Sequence, residues 1–179
     1  MPTTTRTRAA KIAPAAAADA PQTPALPALG AHAPEFELPA DDGTTTSLAR
    51  LRGQRVVLYF YPRDNTPGCT TESCDFRDRS GDFTAVGAVI LGVSGDSVAS
   101  HVRFRDKFQL PFRLLADAGN RVARAYGAFG TKTSYGRTTE GIIRSTFVIG
   151  PDGRIEAVYS PVKVAGHAEA VLAALRGRR

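Results

Sequence analysis

Two cysteines are the residues most able to do chemistry in this chain. Cys69 and Cys74 lie in the segment Pro62-Arg63-Asp64-Asn65-Thr66-Pro67-Gly68-Cys69-Thr70-Thr71-Glu72-Ser73-Cys74. A thiol in the first turn of a helix faces unpaired backbone N–H groups and the positive end of the helix dipole. Both favour thiolate, the nucleophilic form. Pro67-Gly68, directly before Cys69, lets the backbone turn tightly and approach a small ligand. Cys69 is therefore the candidate nucleophile. A thiolate can be oxidised to a sulfenic acid, and a second thiol condenses with that acid to a disulfide.

The spacing adds a constraint. Residues five apart on a helix have Cα atoms about 8–9 Å apart, from about 7.5 Å of rise and roughly 140° of rotation. A disulfide needs Cα atoms within roughly 7 Å. If both cysteines sit on one helix, they cannot bond until it locally unwinds. The spacing thus predicts a wound, substrate-binding form and an unwound, disulfide-carrying form.

The elements that must position this segment can be read from apolar patterning. Residues 56–61, Val-Val-Leu-Tyr-Phe-Tyr, form a continuous run expected of a central strand covered on both faces. A polar loop over 62–68 follows, then a helix over 70–79 with Glu72 in its first turn. In open α/β sheets, chemistry is expected outside the carboxyl ends of strands. Further strands are predicted around Phe36 and Leu38 and over 86–93 and 112–115, with helices over 97–108 and 121–126. Residues 145–149 and 154–160 flank Pro151-Asp152-Gly153 as a hairpin, with Ile155, Ala157 and Tyr159 on one face. Val164, Ala168, Val171, Leu172 and Leu175 mark an amphipathic C-terminal helix. The expectation is an α/β sandwich with a central mixed sheet flanked by helices. Residues 1–30 are rich in Ala, Pro and Thr and read as a disordered extension, leaving 31–179 as the domain.

At these residues a resemblance can be named. Pro62-x-x-x-Thr66-x-x-Cys69 resembles the active-site motif of peroxiredoxins, and Cys74 resembles the resolving position of the bacterioferritin comigratory protein/PrxQ subfamily. The similarity runs from about Ala33 to Leu175. Gly136-Arg137-Thr138 and Arg144-Ser145-Thr146-Phe147-Val148-Ile149 also resemble the family, whose second motif contributes an arginine. The resemblance implies a thioredoxin-like fold and a thiol peroxidase acting on hydrogen peroxide and organic hydroperoxides. It implies Cys69 as peroxidatic and Cys74 as resolving cysteine, with one intrachain disulfide reduced by thioredoxin or a similar dithiol. It also assigns Arg144 to stabilising the thiolate and orienting peroxide, Thr66 to hydrogen-bonding substrate or sulfur, and Pro62 to shielding the site. No metal, haem or flavin is implied. The competing readings are a disulfide oxidoreductase, which usually uses C-x-x-C, and a peroxide sensor using the same cysteines.

Composition narrows the rest. Two cysteines exclude a disulfide-framework domain. The formal charge is +6, but the excess sits at the ends: Arg6, Arg8 and Lys11 against Asp19, and Arg176, Arg178 and Arg179. That distribution argues against a nucleic-acid surface. His32, His101 and His167 have no zinc-site spacing. Gly130-Thr131-Lys132-Thr133 lacks the glycine before lysine that a phosphate loop needs. With no apolar run near the roughly 20 residues of a membrane span and no signal-peptide core, a cytoplasmic protein is expected, with a transit peptide the alternative that Arg6, Arg8, several Thr and few acids leave open. An intrachain disulfide needs no partner subunit, so a monomer is expected.

Overall fold

From Val56 to Phe60 every residue is buried, as a β-branched and aromatic run must be when layers cover both its faces. The computed structural model describes residues 25–134 and 136–177. In chain order the elements are β1 (Glu37–Pro39), β2 (Thr45–Ser47), β3 (Arg55–Phe60), α1 (Pro67–Asp78), α2 (Ser80–Ala85), β4 (Ala88–Ser94), α3 (Val98–Phe108), β5 (Arg113–Ala116), α4 (Arg121–Ala125), β6 (Phe129–Ser134), β7 (Arg137–Ile142), β8 (Ser145–Ile149), β9 (Ile155–Tyr159) and α5 (His167–Arg176).

The central sheet has five strands in the order β5-β4-β3-β8-β9. β3 pairs in parallel with β4, and β4 with β5, whereas β8 runs antiparallel to β3 and β9 to β8. The sheet is therefore mixed, as expected. Side chains alternate along β3. Val57 and Tyr59 pack with Phe76 of α1, Phe83 of α2, Phe104 of α3 and Val171 of α5. Val56, Leu58 and Phe60 face Val122 of α4 together with Phe36 and Leu38. Helices thus lie on both faces, and β3 delivers its carboxyl end, and the loop after it, between them.

Four details differ from the sequence expectation. α1 begins at Pro67, not at residue 70, because proline's fixed φ suits the first helical position. α5 begins at His167, so Val164 lies outside it: Gly166 takes φ 72°, a left-handed conformation that interrupts the helical run. In β9, Ile155 does not share a face with Ala157 and Tyr159. The register shifts between Val148 and Ile149, so Ile155 packs in the layer of Ile149 while Ala157 and Tyr159 pack against the other layer. Finally, β2, α2 and the β6–β7 hairpin were not anticipated, and β4 starts only at Ala88, after α2.

The expected disordered segment falls mostly on residues 1–24, outside the described ones. Gly30 already donates to Ile155 and Ala33 to Gly153 through backbone N–H groups, so the chain joins the sheet edge there. Among the described residues no helix is long and apolar enough to cross a membrane.

Candidate active site

The loop 61–66 carries the chain from β3 into α1. Thr66 is the N-cap, in extended conformation (φ −84°, ψ 151°), and its hydroxyl donates to the Arg63 carbonyl at 2.9 Å, not to a helix N–H. Pro67 and Gly68 follow, which places Cys69 in the first turn of α1. Cys69 is buried, at 1% exposure, and Pro62 is exposed beyond the end of β3. Cys74 is half-buried on the same helix, and both thiols are free.

Arg144 reaches Cys69 from the segment between β7 and β8. Its Nη2 donates to Cys69 Sγ at 3.3 Å, and its Nη1 pairs with Glu72 Oε2. A charge-assisted donor on sulfur stabilises the anion more than the neutral thiol. Gly68 has a function other than a positive φ: a Cβ there would lie 3.3 Å from Arg144 Nη2. Glycine therefore leaves room for the guanidinium to reach the sulfur.

Glu72 completes the cluster. Since α1 starts at Pro67, Glu72 is in its second turn, one turn beyond Cys69 and on the same face. It is buried, and its Oε1 has no hydrogen-bond partner. Burial pushes its carboxyl up to about 7, against the opposing pull of Arg144. Burial works to lower the basicity of Arg144, but the charges and hydrogen bonds of Glu72 and Cys69 outweigh it and leave the guanidinium more firmly protonated than usual. The result is a cation divided between a sulfur and a carboxyl that titrates near neutral pH.

Packing fixes the rest of α1. Ser73 Oγ and Tyr59 Oη are 2.9 Å apart, and the Tyr59 ring stacks on Phe76 at 4.9 Å between centroids. Beneath them His167 is 2.8 Å through Nε2 from Thr146 Oγ1 and packs edge-on against Phe76. Burial, with the Arg144 charge, pushes its imidazole down to about 4, so it is neutral at physiological pH.

The structure therefore brings Cys69 and Arg144 together, carries Cys74 on the same helix, and sets Thr66 at its cap. Sequence reasoning missed Glu72, although an acid three residues after a nucleophilic cysteine was a readable signal. Among the described residues no group of three or more His, Cys, Asp or Glu side chains could hold a metal ion.

Comparison with known proteins shows the family. Residues 29–158 match the AhpC/TSA family. The chain is 47% identical over 147 residues to a putative peroxiredoxin Bcp of Coxiella burnetii, covering 82% of this chain and 97% of that protein. It is 45% identical over 148 residues to peroxiredoxin Bcp of Bacillus subtilis, covering 83% and 94% respectively. Among solved structures, the bacterioferritin comigratory protein of Xanthomonas campestris, studied for alkyl peroxide reduction, superposes with a TM-score of 0.76 at 45% identity, covering 80% of this chain and 91% of that one. PrxQ of Xylella fastidiosa superposes with a TM-score of 0.81 at 38% identity, covering 86% and 98%.

Proposed function

Because this chain belongs to the AhpC/TSA family and is a thiol-dependent peroxidase with the thioredoxin-like fold, we propose that Cys69 is its peroxidatic nucleophile and Cys74 its resolving thiol. The observation that carries the assignment is the guanidinium of Arg144 at 3.3 Å from Cys69 Sγ in the first turn of α1. The Cys69 thiolate attacks one peroxide oxygen, the O–O bond breaks, and the other oxygen leaves with a proton as water or an alcohol. Sulfur is oxidised to sulfenic acid and the peroxide is reduced. The Cys74 thiol then displaces the sulfenic oxygen as water, forming the disulfide. Two thiol–disulfide exchanges with a thioredoxin-like dithiol restore both cysteines.

Arg144 offers donors to both the sulfur and an incoming oxygen, and helix N–H groups at the start of α1 can hold developing negative charge. Thr66, at the cap, is assigned to binding sulfur or substrate through its hydroxyl, once released from the Arg63 carbonyl. Pro62 is assigned to limiting water entry. Hydrogen peroxide and organic hydroperoxides are the substrates, the latter supported by the alkyl peroxide reduction studied in the Xanthomonas campestris relative. We take residues 31–179 as the catalytic unit and 1–30 as an extension to it. The reading includes a monomer, which an intrachain disulfide permits, and a cytoplasmic location.

The test is rapid mixing of the reduced protein with limiting hydrogen peroxide while free thiols are counted. Two thiols lost per peroxide, with turnover restored by a thioredoxin system, are expected. Undiminished peroxide consumption by Cys69→Ser would refute the assignment.

A further inference from the structure

Behind the loop 61–66 lies a buried polar cluster that the chemistry above does not use. The Asp64 side chain points inward and is 1% exposed. Its Oδ1 accepts from the Tyr61 hydroxyl at 2.7 Å, and its Oδ2 accepts from the Ser100 hydroxyl at 2.7 Å. His101, with no exposed surface, places Nδ1 2.9 Å from the same Oδ2. The Asp64 backbone N–H donates to Asp96 Oδ2 at 2.9 Å, which also accepts from the Ser94 hydroxyl. One residue of the loop is thus tied to both β4 and α3.

His101 is held at both ends. Its Nε2 lies 3.2 Å from the carbonyl of Leu115, so one ring nitrogen faces a carbonyl and the other a carboxylate. The Tyr61 oxygen, 3.4 Å from Nδ1, directs its proton to Asp64. The other charged groups nearby are Asp96, and the buried Asp41 with Arg105 of α3 at 3.1 Å. Burial alone would raise the Asp64 carboxyl, but the hydrogen bond and charge of His101, with the Tyr61 and Ser100 hydroxyls, hold it below its ordinary value.

We propose that Asp64 and His101 are positioning residues, a buried carboxylate–histidine pair that fixes the loop bearing Thr66 and hence the turn presenting Cys69. A carboxylate buried without its hydrogen-bonding partners is driven to water or to protonation, and the loop carrying it must move. Asp64 is two residues from the Thr66 cap and five from Cys69, and the chain enters α1 through this loop. The tie is on the N-terminal side of Cys69, so it holds the attacking turn without spanning the stretch between the cysteines that must unwind. The inference rests on Cys69 being the sulfur that attacks peroxide.

Two rates in the full chain test it: Cys69 oxidation by hydrogen peroxide, followed by quenched thiol counting, and condensation of the sulfenic acid with Cys74. In Asp64→Asn the first should slow at least tenfold while the second keeps its rate or quickens. In His101→Gly the first should slow likewise, and added imidazole should restore it. Should His101→Gly fail to fold, Asp64→Asn decides alone. Oxidation of Asp64→Asn at the wild-type rate, or equal slowing of both steps, overturns the proposal. So does imidazole that restores the melting temperature of His101→Gly but not its rate. Peroxide consumption by Cys69→Ser would instead overturn the reading beneath it.

Discussion

Glu72 lies one helical turn from Cys69 and shares a single guanidinium with it: Arg144 donates through Nη2 to the sulfur and through Nη1 to the carboxyl. The positive charge available to the sulfur therefore depends on what the carboxyl holds.

Arg144→Met removes the donor while keeping an unbranched apolar side chain. A hydrogen bond to a charged group contributes about 1.5–3 kcal/mol, so peroxide oxidation of Cys69 should slow roughly 10- to 100-fold. Stopped-flow thiol consumption measures this. A rate within twofold of wild type would remove Arg144 from the mechanism.

Glu72 and His167 should load stability against pH in opposite directions. The folded-state value of Glu72 is raised from 4.5 to about 7, so its contribution is fully present below pH 4.5 and is lost as pH rises through 7. That of His167 is lowered from 6.5 to about 4, so its contribution is present above pH 6.5 and lost as pH falls through 4. Each slope approaches about 1.4 kcal/mol per pH unit where the folded and unfolded states differ by one proton. In the overlapping window, between 4.5 and 6.5, the two offset each other. Urea denaturation of the reduced protein should find Glu72→Gln gaining stability as pH rises through that window, relative to wild type, and His167→Asn losing it. Parallel curves for all three proteins would contradict both assignments.

Cys74→Ser should convert a two-thiol reaction into a one-thiol reaction. Its sulfenic acid has no partner on the chain, so it should accumulate and pass to sulfinic acid as peroxide is added. Intact mass after quenching distinguishes these products. Normal disulfide formation within the variant chain is impossible, so a two-thiol stoichiometry here would point to bonds between chains.

Oxidation should also cost helix. With both cysteines on α1, closing the disulfide requires roughly one to two turns to unwind. Far-UV circular dichroism should report less helix after one equivalent of peroxide in wild type and little change in Cys74→Ser. Retention of the full helical signal by disulfide-bonded protein would refute the two-form scheme.

The central strand, the cysteine-bearing helix and the mixed sheet were legible because each is written in local pattern: an unbroken apolar run at β3, and a proline–glycine turn ahead of Cys69. What stayed hidden is long-range. The β6–β7 hairpin is threonine- and glycine-rich, and its Gly130-Thr131-Lys132 stretch reads locally as a loop although it is strand. His101 looked like one scattered histidine, since its partner Asp64 is 37 positions away and meets it only through the packing of α3 against the loop. The bulge between Val148 and Ile149 inverts a face that strict alternation assigns to Ile155, and no residue type announces it.

The seating of α1 has a further consequence. Ser73 and Phe76, which moor the helix on Tyr59, flank Cys74 at the far end of the stretch that closing the disulfide would loosen. A surface assembled from those freed residues would exist only while the sulfurs are joined. A reductant that gripped such a surface would lose its own handhold once it had cut the bond and the coil had closed again, so departure of the spent donor would be built into the same motion that readies the sulfur for its next peroxide.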